Sequence, residues 1–118
     1  MKRVDSEFRD RVHSIVAQIP KGRVMTYGQV AAAAGAAWAS WEVGQIAHYG
    51  PQELPWQRVV NKSGELARGY TPGGFEAHKR DLEAEGVRID ENYRVMDFKD
   101  LLWQPPIEGQ MQLGDSSK

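Results

Sequence analysis

VMTYGQVAAAAGAAWASWEVGQIAHYGP, Val24–Pro51, is the stretch that decides the fold of this chain. It opens with a short extended piece and then turns helical. Thr26 stands where an N-cap belongs, Val30 to Ala34 continue the helix, and Gly35 stands where a helix end takes left-handed backbone. Alanine is the best helix former, and its small side chain lets neighbouring helices approach closely. A second helix follows in ASWEVGQIAHYG, with Ser40 as its N-cap, Val43, Ile46 and Ala47 facing inward, and Gly50-Pro51 as its stop. Two short helices joined by a four- or five-residue connection form the helix-turn-helix pattern, whose second helix can enter a groove of DNA. The pattern alone is weak, because many αα-hairpins bind nothing.

Working outward, DSEFRDRVHSIVAQIP predicts a first helix capped by Asp5 or Ser6. Phe8, Val12, Ile15, Val16 and Ile19 keep i, i+3/i+4 spacing, and Pro20 ends it. Downstream, QRVVNKSGELARGY predicts a β-hairpin: Val59 and Val60 in one strand, NKSG as the turn, ELA as the return. A hairpin after a helix-turn-helix is a wing. TPGG is a tight loop whose two glycines can take positive φ and approach a ligand closely. FEAHKRDLEAEG reads as a last helix stopped by Gly86. VRIDENYRVMDF alternates enough for one or two short strands, and Leu101, Leu102 and Trp103 should pack the following segment onto the body. The expected class is therefore mainly α with a small β-hairpin, a winged helix-turn-helix over residues 1–106. Residues 107–118 have little to bury and are expected to be a disordered tail.

Composition removes several function classes. With 118 residues there is enough chain for one core. No apolar run approaches the roughly 20 residues of a membrane span, and the charged start MKRVDSEFRDRV is no secretory signal; a soluble cytoplasmic protein is expected. The chain has no cysteine, which excludes disulfides, thiolate nucleophiles and cysteine-ligated zinc. The three histidines are scattered without metal-ligand spacing, so neither metal nor cofactor is expected. Net charge is −1, with +2 on residues 1–60 and −3 on 61–118. That argues against a broad polycationic face and leaves room for binding through a few placed groups.

Taken in order, IPKGRVMTYGQVA, VGQIA, PWQRVVNKSGEL and GG…HKRDLEAEGV resemble the DNA-binding domain of the O6-alkylguanine-DNA alkyltransferases. That family's pattern runs IPxGxVxTYGxxA, xRxVGxA, PCHRV, GG, then K…LL..EG, and the resemblance covers about residues 4 to 90. The acceptor cysteine of PCHRV is Trp56 here, so the chain is most similar to the alkyltransferase-like proteins, which bind alkylated guanine without repairing it. The C-terminal WQPP also resembles the ending of that subfamily. Alkyl transfer needs a nucleophile and a neighbouring base. Trp offers neither, and the family's histidine is Gln57, whose amide is no general base. Glu85, at the family's glutamate position, stands alone, and no catalytic residue is expected.

The resemblance implies a lesion pocket of Trp56, Tyr27, Gln57, Val59, Arg68, Tyr70, Gly73 and Gly74, and duplex contacts by Thr26, Tyr27, Gly28, Ser40, Trp41, Gly44 and Gln45. Tyr27 matches the tyrosine that presses on the 3′ phosphate and helps rotate the nucleotide out. Trp41 departs from the pattern: it occupies the place of the arginine finger that fills the hole left by the flipped base, and Glu42 follows it. As a wedge it would keep the insertion and lose the charge. Plainer readings stay open: Trp56 as core filler, Gln57 as a loop brace, Arg68 as a solvated surface residue, Gly73-Gly74 as an ordinary turn, and Arg58 as a structural fork. The implied partners are duplex DNA carrying O6-alkylguanine and the proteins of nucleotide excision repair, with the chain a monomer. A winged-helix module without lesion specificity and a protein-interaction domain without a DNA role are the alternatives.

Overall fold

A computed structural model describes residues 5–106; the expected tail over 107–118 lies outside the described residues. The order of elements is α1 (Ser6–Gln18), β1 (Met25–Thr26), α2 (Tyr27–Ala33), α3 (Ser40–Tyr49), a single 3-10 turn (Trp56–Arg58), β2 (Val59–Val60), α4 (Gly74–Glu83) and α5 (Phe98–Leu101). The Asp5 carboxylate caps α1 by accepting the Phe8 N–H at 2.9 Å. One face of α1 buries Phe8, Val12, Ile15 and Val16, as its spacing requires. Thr26 and Gln29 close a reciprocal capping box on α2: the Gln29 N–H donates to Thr26 Oγ1 at 3.0 Å, and the Thr26 N–H donates to Gln29 Oε1 at 2.9 Å. Gly35, at φ +103°, ends that helix as expected.

Ser40 does not cap α3. Ala39 holds the cap position without a side-chain bond, and Ser40 is the first helical residue. Ala39 is fully buried, so core packing sets this helix start one residue before the polar side chain that would otherwise mark it.

The helical class stands, but β2 does not form the expected hairpin. Val59 and Val60 pair in parallel with Met25 and Thr26. NKSG does turn, with the Gly64 N–H donating to the Asn61 carbonyl at 2.8 Å, but the return segment runs on to a different partner: the Leu66 N–H donates to the Tyr93 carbonyl at 2.9 Å. The physical reason lies in burial. Val24, Met25, Val59 and Val60 are all fully buried, and strands covered on both faces read as continuous apolar runs. Because successive side chains point to opposite faces, Met25 and Val59 join an apolar cluster with α1, α2 and α3, while Val24 and Val60 join a second cluster with Leu66, Leu82, Val87 and Val95. The little sheet is thus the partition between two cores. The end of α5 and the chain that follows extend its edge: the Val24 N–H donates to the Leu101 carbonyl at 3.0 Å, and the Trp103 N–H donates back to the Val24 carbonyl at 2.9 Å. Trp103 packs against the first cluster.

Candidate nucleic-acid interface

α3, the start of α2, the Trp56 turn and the loop from Asn61 to Thr71 enclose an open cleft of about 990 Å³. Its charged wall groups are Lys62, Glu65 and Arg68, a sparse set in keeping with the near-neutral chain.

Trp56 forms part of the floor. Its side chain is 8% exposed and held from three directions. The indole N–H donates to the Pro51 carbonyl at 2.8 Å. His13 meets the ring edge-on, with centroids 5.9 Å apart. Gly50 leaves the space for the ring, since a Cβ there would lie 3.0 Å from Trp56 Cζ2. The one donor of the indole is therefore committed inward, and the floor offers the cleft an apolar, polarisable surface.

The remaining walls carry polar groups held in fixed protonation states. Burial pushes the Tyr27 phenol up to about 12, which keeps its O–H available as a donor at neutral pH. Tyr70 donates to Asp81 at 2.6 Å and stacks on His78, with centroids 4.4 Å apart; burial first, then Asp81, pushes its phenol upward. His78 is fully buried. Burial lowers its imidazole to about 4, against the opposing pull of the Gln57 carbonyl and Asp81. Its tautomer follows from its partners: Nδ1 accepts the Ala67 N–H at 3.0 Å, so Nε2 carries the proton and donates to the Gln57 carbonyl at 2.8 Å. One neutral imidazole thus ties the floor loop to the cleft wall at Ala67 and Tyr70. Sequence reasoning passed over His78 because a lone histidine within a helix carries no motif.

Behind the floor, Glu85 gathers the loops. Its carboxylate accepts from Arg58 Nε at 3.0 Å, Gln57 Nε2 at 2.8 Å and the Gly22 N–H at 2.8 Å. Arg58 Nη1 donates to the Ile19 carbonyl at 2.7 Å. Burial would raise the Glu85 carboxyl, but the hydrogen bonds from Arg58, Gly22 and Gln57 outweigh it and hold it below its ordinary value. Arg58 is the structural fork that its chemistry suggested.

Of the residues singled out in the sequence, Tyr27, Gly28, Ser40, Trp41, Gly44 and Gln45 line the cleft, and so do Trp56, Arg68 and Tyr70. Trp41 is 69% exposed, beside the opening. The other five are placed elsewhere. Thr26 is occupied in its capping box. The Gln57 side chain turns away to brace Glu85. Val59 is fully buried in the first apolar cluster. Gly73 and Gly74 form the entry to α4 at positive φ; a Cβ on Gly73 would come within 2.5 Å of the Ala77 Cβ, and the Gly74 N–H donates to the Tyr70 carbonyl at 2.8 Å. His48 and Tyr49 line the cleft as well, without a sequence signal beyond their place on α3.

Residues 7–87 match the family model for the DNA-binding domain of 6-O-methylguanine DNA methyltransferase. The chain is 33% identical over 105 residues to the alkyltransferase-like protein 1 of Schizosaccharomyces pombe, covering 84% of this chain and 96% of that one. It is 39% identical over 97 residues to the DNA base-flipping protein of Escherichia coli, covering 80% and 73%. Among solved structures it resembles S. pombe Atl1 in complex with damaged DNA containing O6-carboxymethylguanine, with a TM-score of 0.77 and 30% identity over 87% of this chain and 100% of that one. It also resembles the Mycobacterium tuberculosis OGT in complex with DNA, with a TM-score of 0.62 and 32% identity over 72% of this chain and 51% of that one. The cleft is built without a cysteine anywhere in the chain, with a tryptophan on its floor, and the chain belongs to the 6-O-methylguanine DNA methyltransferase family of DNA-binding domains as one of its non-enzymatic, alkyltransferase-like members.

Proposed function

We propose that this protein is a non-enzymatic DNA-damage sensor that binds O6-alkylguanine in duplex DNA, rotates the nucleotide into the cleft and holds it over Trp56. The observation that carries the reading is the seating of Trp56: a largely buried indole at the floor of a cleft beside α3, showing the cleft a small apolar part of its ring, with its only donor turned inward. Extruding a base costs a few kcal/mol, less where the lesion weakens pairing. A full base–aromatic stack returns about 1–3 kcal/mol; the part of the indole open to the cleft supplies a share of that as apolar contact with the alkylated base. Tyr27 supplies a protonated phenol for the backbone of the rotated nucleotide. Trp41, exposed at the first turn of α3, serves as the wedge in the vacated stack, as apolar side chains do elsewhere. The family resemblance supports hand-off of the held lesion to nucleotide excision repair.

Equilibrium binding to two duplexes that differ only by O6-methylguanine against guanine, at one salt concentration, tests this. The wild type should prefer the modified duplex, and Trp56→Ala should cut that preference roughly 5-fold or more, with about 150-fold, the equivalent of a full base–aromatic stack, as the upper bound. Equal wild-type affinity for both duplexes would reject the sensor. It would favour a winged-helix module without lesion specificity, a reading that the Trp41-Glu42 pair supports by placing no cation where the family has its finger.

A further inference from the structure

Four large apolar side chains among the described residues are well exposed: Trp38, Trp41, Tyr49 and Met96. Two of them, Trp41 and Tyr49, stand on α3 and line the same cleft. Tyr49 is the more exposed of the pair, at 78%, and it is the last residue of the helix. It has an aromatic neighbour. His48 meets its ring edge-on, with centroids 4.6 Å apart and an interplanar angle of 86°. His48 is itself anchored, because its Nδ1 lies 3.1 Å from the Gly69 carbonyl oxygen. A carbonyl only accepts, so Nδ1 carries the proton, and the imidazole becomes a strut from α3 to the opposite wall of the cleft. The Tyr49 ring thus has one aromatic neighbour to pack on and leaves most of its surface open to a partner.

The spacing says what such a ring can reach. Trp41 and Tyr49 are eight residues apart on one helix, about 12 Å along its axis. That equals the rise of between three and four nucleotides along a duplex axis, at about 3.4 Å each. With Trp41 in the vacated stack and α3 running along the groove, Tyr49 stands at the other end of the helix, on the rim of the cleft and in reach of the sugar–phosphate backbone. Tyrosine serves such a place well, since its ring packs on a deoxyribose while its O–H donates to a phosphate oxygen. We propose that Tyr49 is a second duplex contact, a backbone clamp on a nucleotide three to four steps from the extruded one, which strengthens binding irrespective of the lesion. This rests on reading the cleft as a DNA interface.

The test uses the full chain and the same two duplexes. Tyr49→Ala should weaken binding to modified and plain DNA by the same factor, roughly 3- to 30-fold. Tyr49→Phe, which keeps the ring, should lose roughly 2- to 10-fold, the share of one hydrogen bond. Neither should change the slope of log K against log salt, because no cation is removed. A single methylphosphonate placed three or four nucleotides from the lesion should weaken the wild type and leave Tyr49→Phe unaffected. Thermal unfolding checks that the variants stay folded, as substitution at so exposed a site should allow. Wild-type preference for the lesion with Tyr49→Ala within twofold of wild type on both duplexes would overturn the clamp alone. Equal wild-type affinity for both duplexes would overturn the lesion pocket and leave the Tyr49 comparison readable on plain DNA. No binding to either duplex would overturn both.

Discussion

At the scale of the residue, the Gly50–Trp56 contact carries the most consequence. Gly50 has an ordinary φ of −86°, so any side chain suits its backbone. Its need for hydrogen is steric: a Cβ would stand 2.6 Å from the Ile46 carbonyl oxygen and 3.0 Å from the indole. Gly50→Ala should therefore destabilise the fold by about 1–3 kcal/mol, the usual cost of overpacking, and lower the preference for the modified duplex by displacing the ring. Urea unfolding and the two-duplex ratio read the two effects separately. In a Trp56→Ala background the stability cost against Ile46 should persist and the binding effect should vanish. Trp56 was conspicuous in the sequence because PWQRVV puts an indole in a family position. Its orientation was not, because Pro51 reaches it only through the turn that Gly50 starts.

At the scale of the element, Glu85 ties the Trp56 turn to the ends of α1 and α4. Its side chain is 7% exposed and that of Arg58 is 18%, so the pair is largely withdrawn from water. Removing one partner from such a pair leaves a charge poorly compensated. Glu85→Gln should cost about 2–4 kcal/mol in urea unfolding, with no loss of any chemical step, since the chain has none to lose. Glu85 could be aligned with a family position from sequence. That it organises loops instead of relaying a proton follows from its neighbours, Gln57 and Arg58, which donate to it at 2.8 Å and 3.0 Å. The expected hairpin failed at this scale for a related reason. A two-residue apolar strand names its burial and not its partner, and pairing with β1 is what sets it between the two apolar clusters that cover its faces.

At the scale of the molecule, the buried polar groups set the pH dependence. His78 titrates near 6.5 when unfolded and near 4 in the fold. Between those values the unfolded chain binds more protons, so stability falls as pH drops through that window and is fully present above it. The loss from pH 7.5 to pH 5 should be about 2 kcal/mol from this residue. Glu85, held below its ordinary value, adds to the loss at still lower pH. Urea unfolding at pH 7.5 and pH 5 measures it, and a variant with His78→Asn should show a flatter profile. An equally steep profile in that variant would locate the titration elsewhere.

What the sequence by itself determined is local or chemical. Helix starts and stops follow from Asp5, Thr26, Gly35 and Gly86, because caps and left-handed turns depend on the residues that make them. The absence of alkyl transfer follows from the missing cysteine, because no arrangement of other side chains supplies a thiolate. Only the tertiary structure decided the rest: the parallel pairing of β1 with β2, the dividing of the apolar residues into two cores, the inward turn of the Trp56 N–H, the bracing by His78 and Glu85, and the exposure of Tyr49. Most of these depend on segments 20 to 80 residues apart being brought together, while the Trp56 N–H finds its partner five residues back, in the loop that this packing shapes; such contacts are chosen by which packing buries the most apolar surface while leaving buried polar groups their partners.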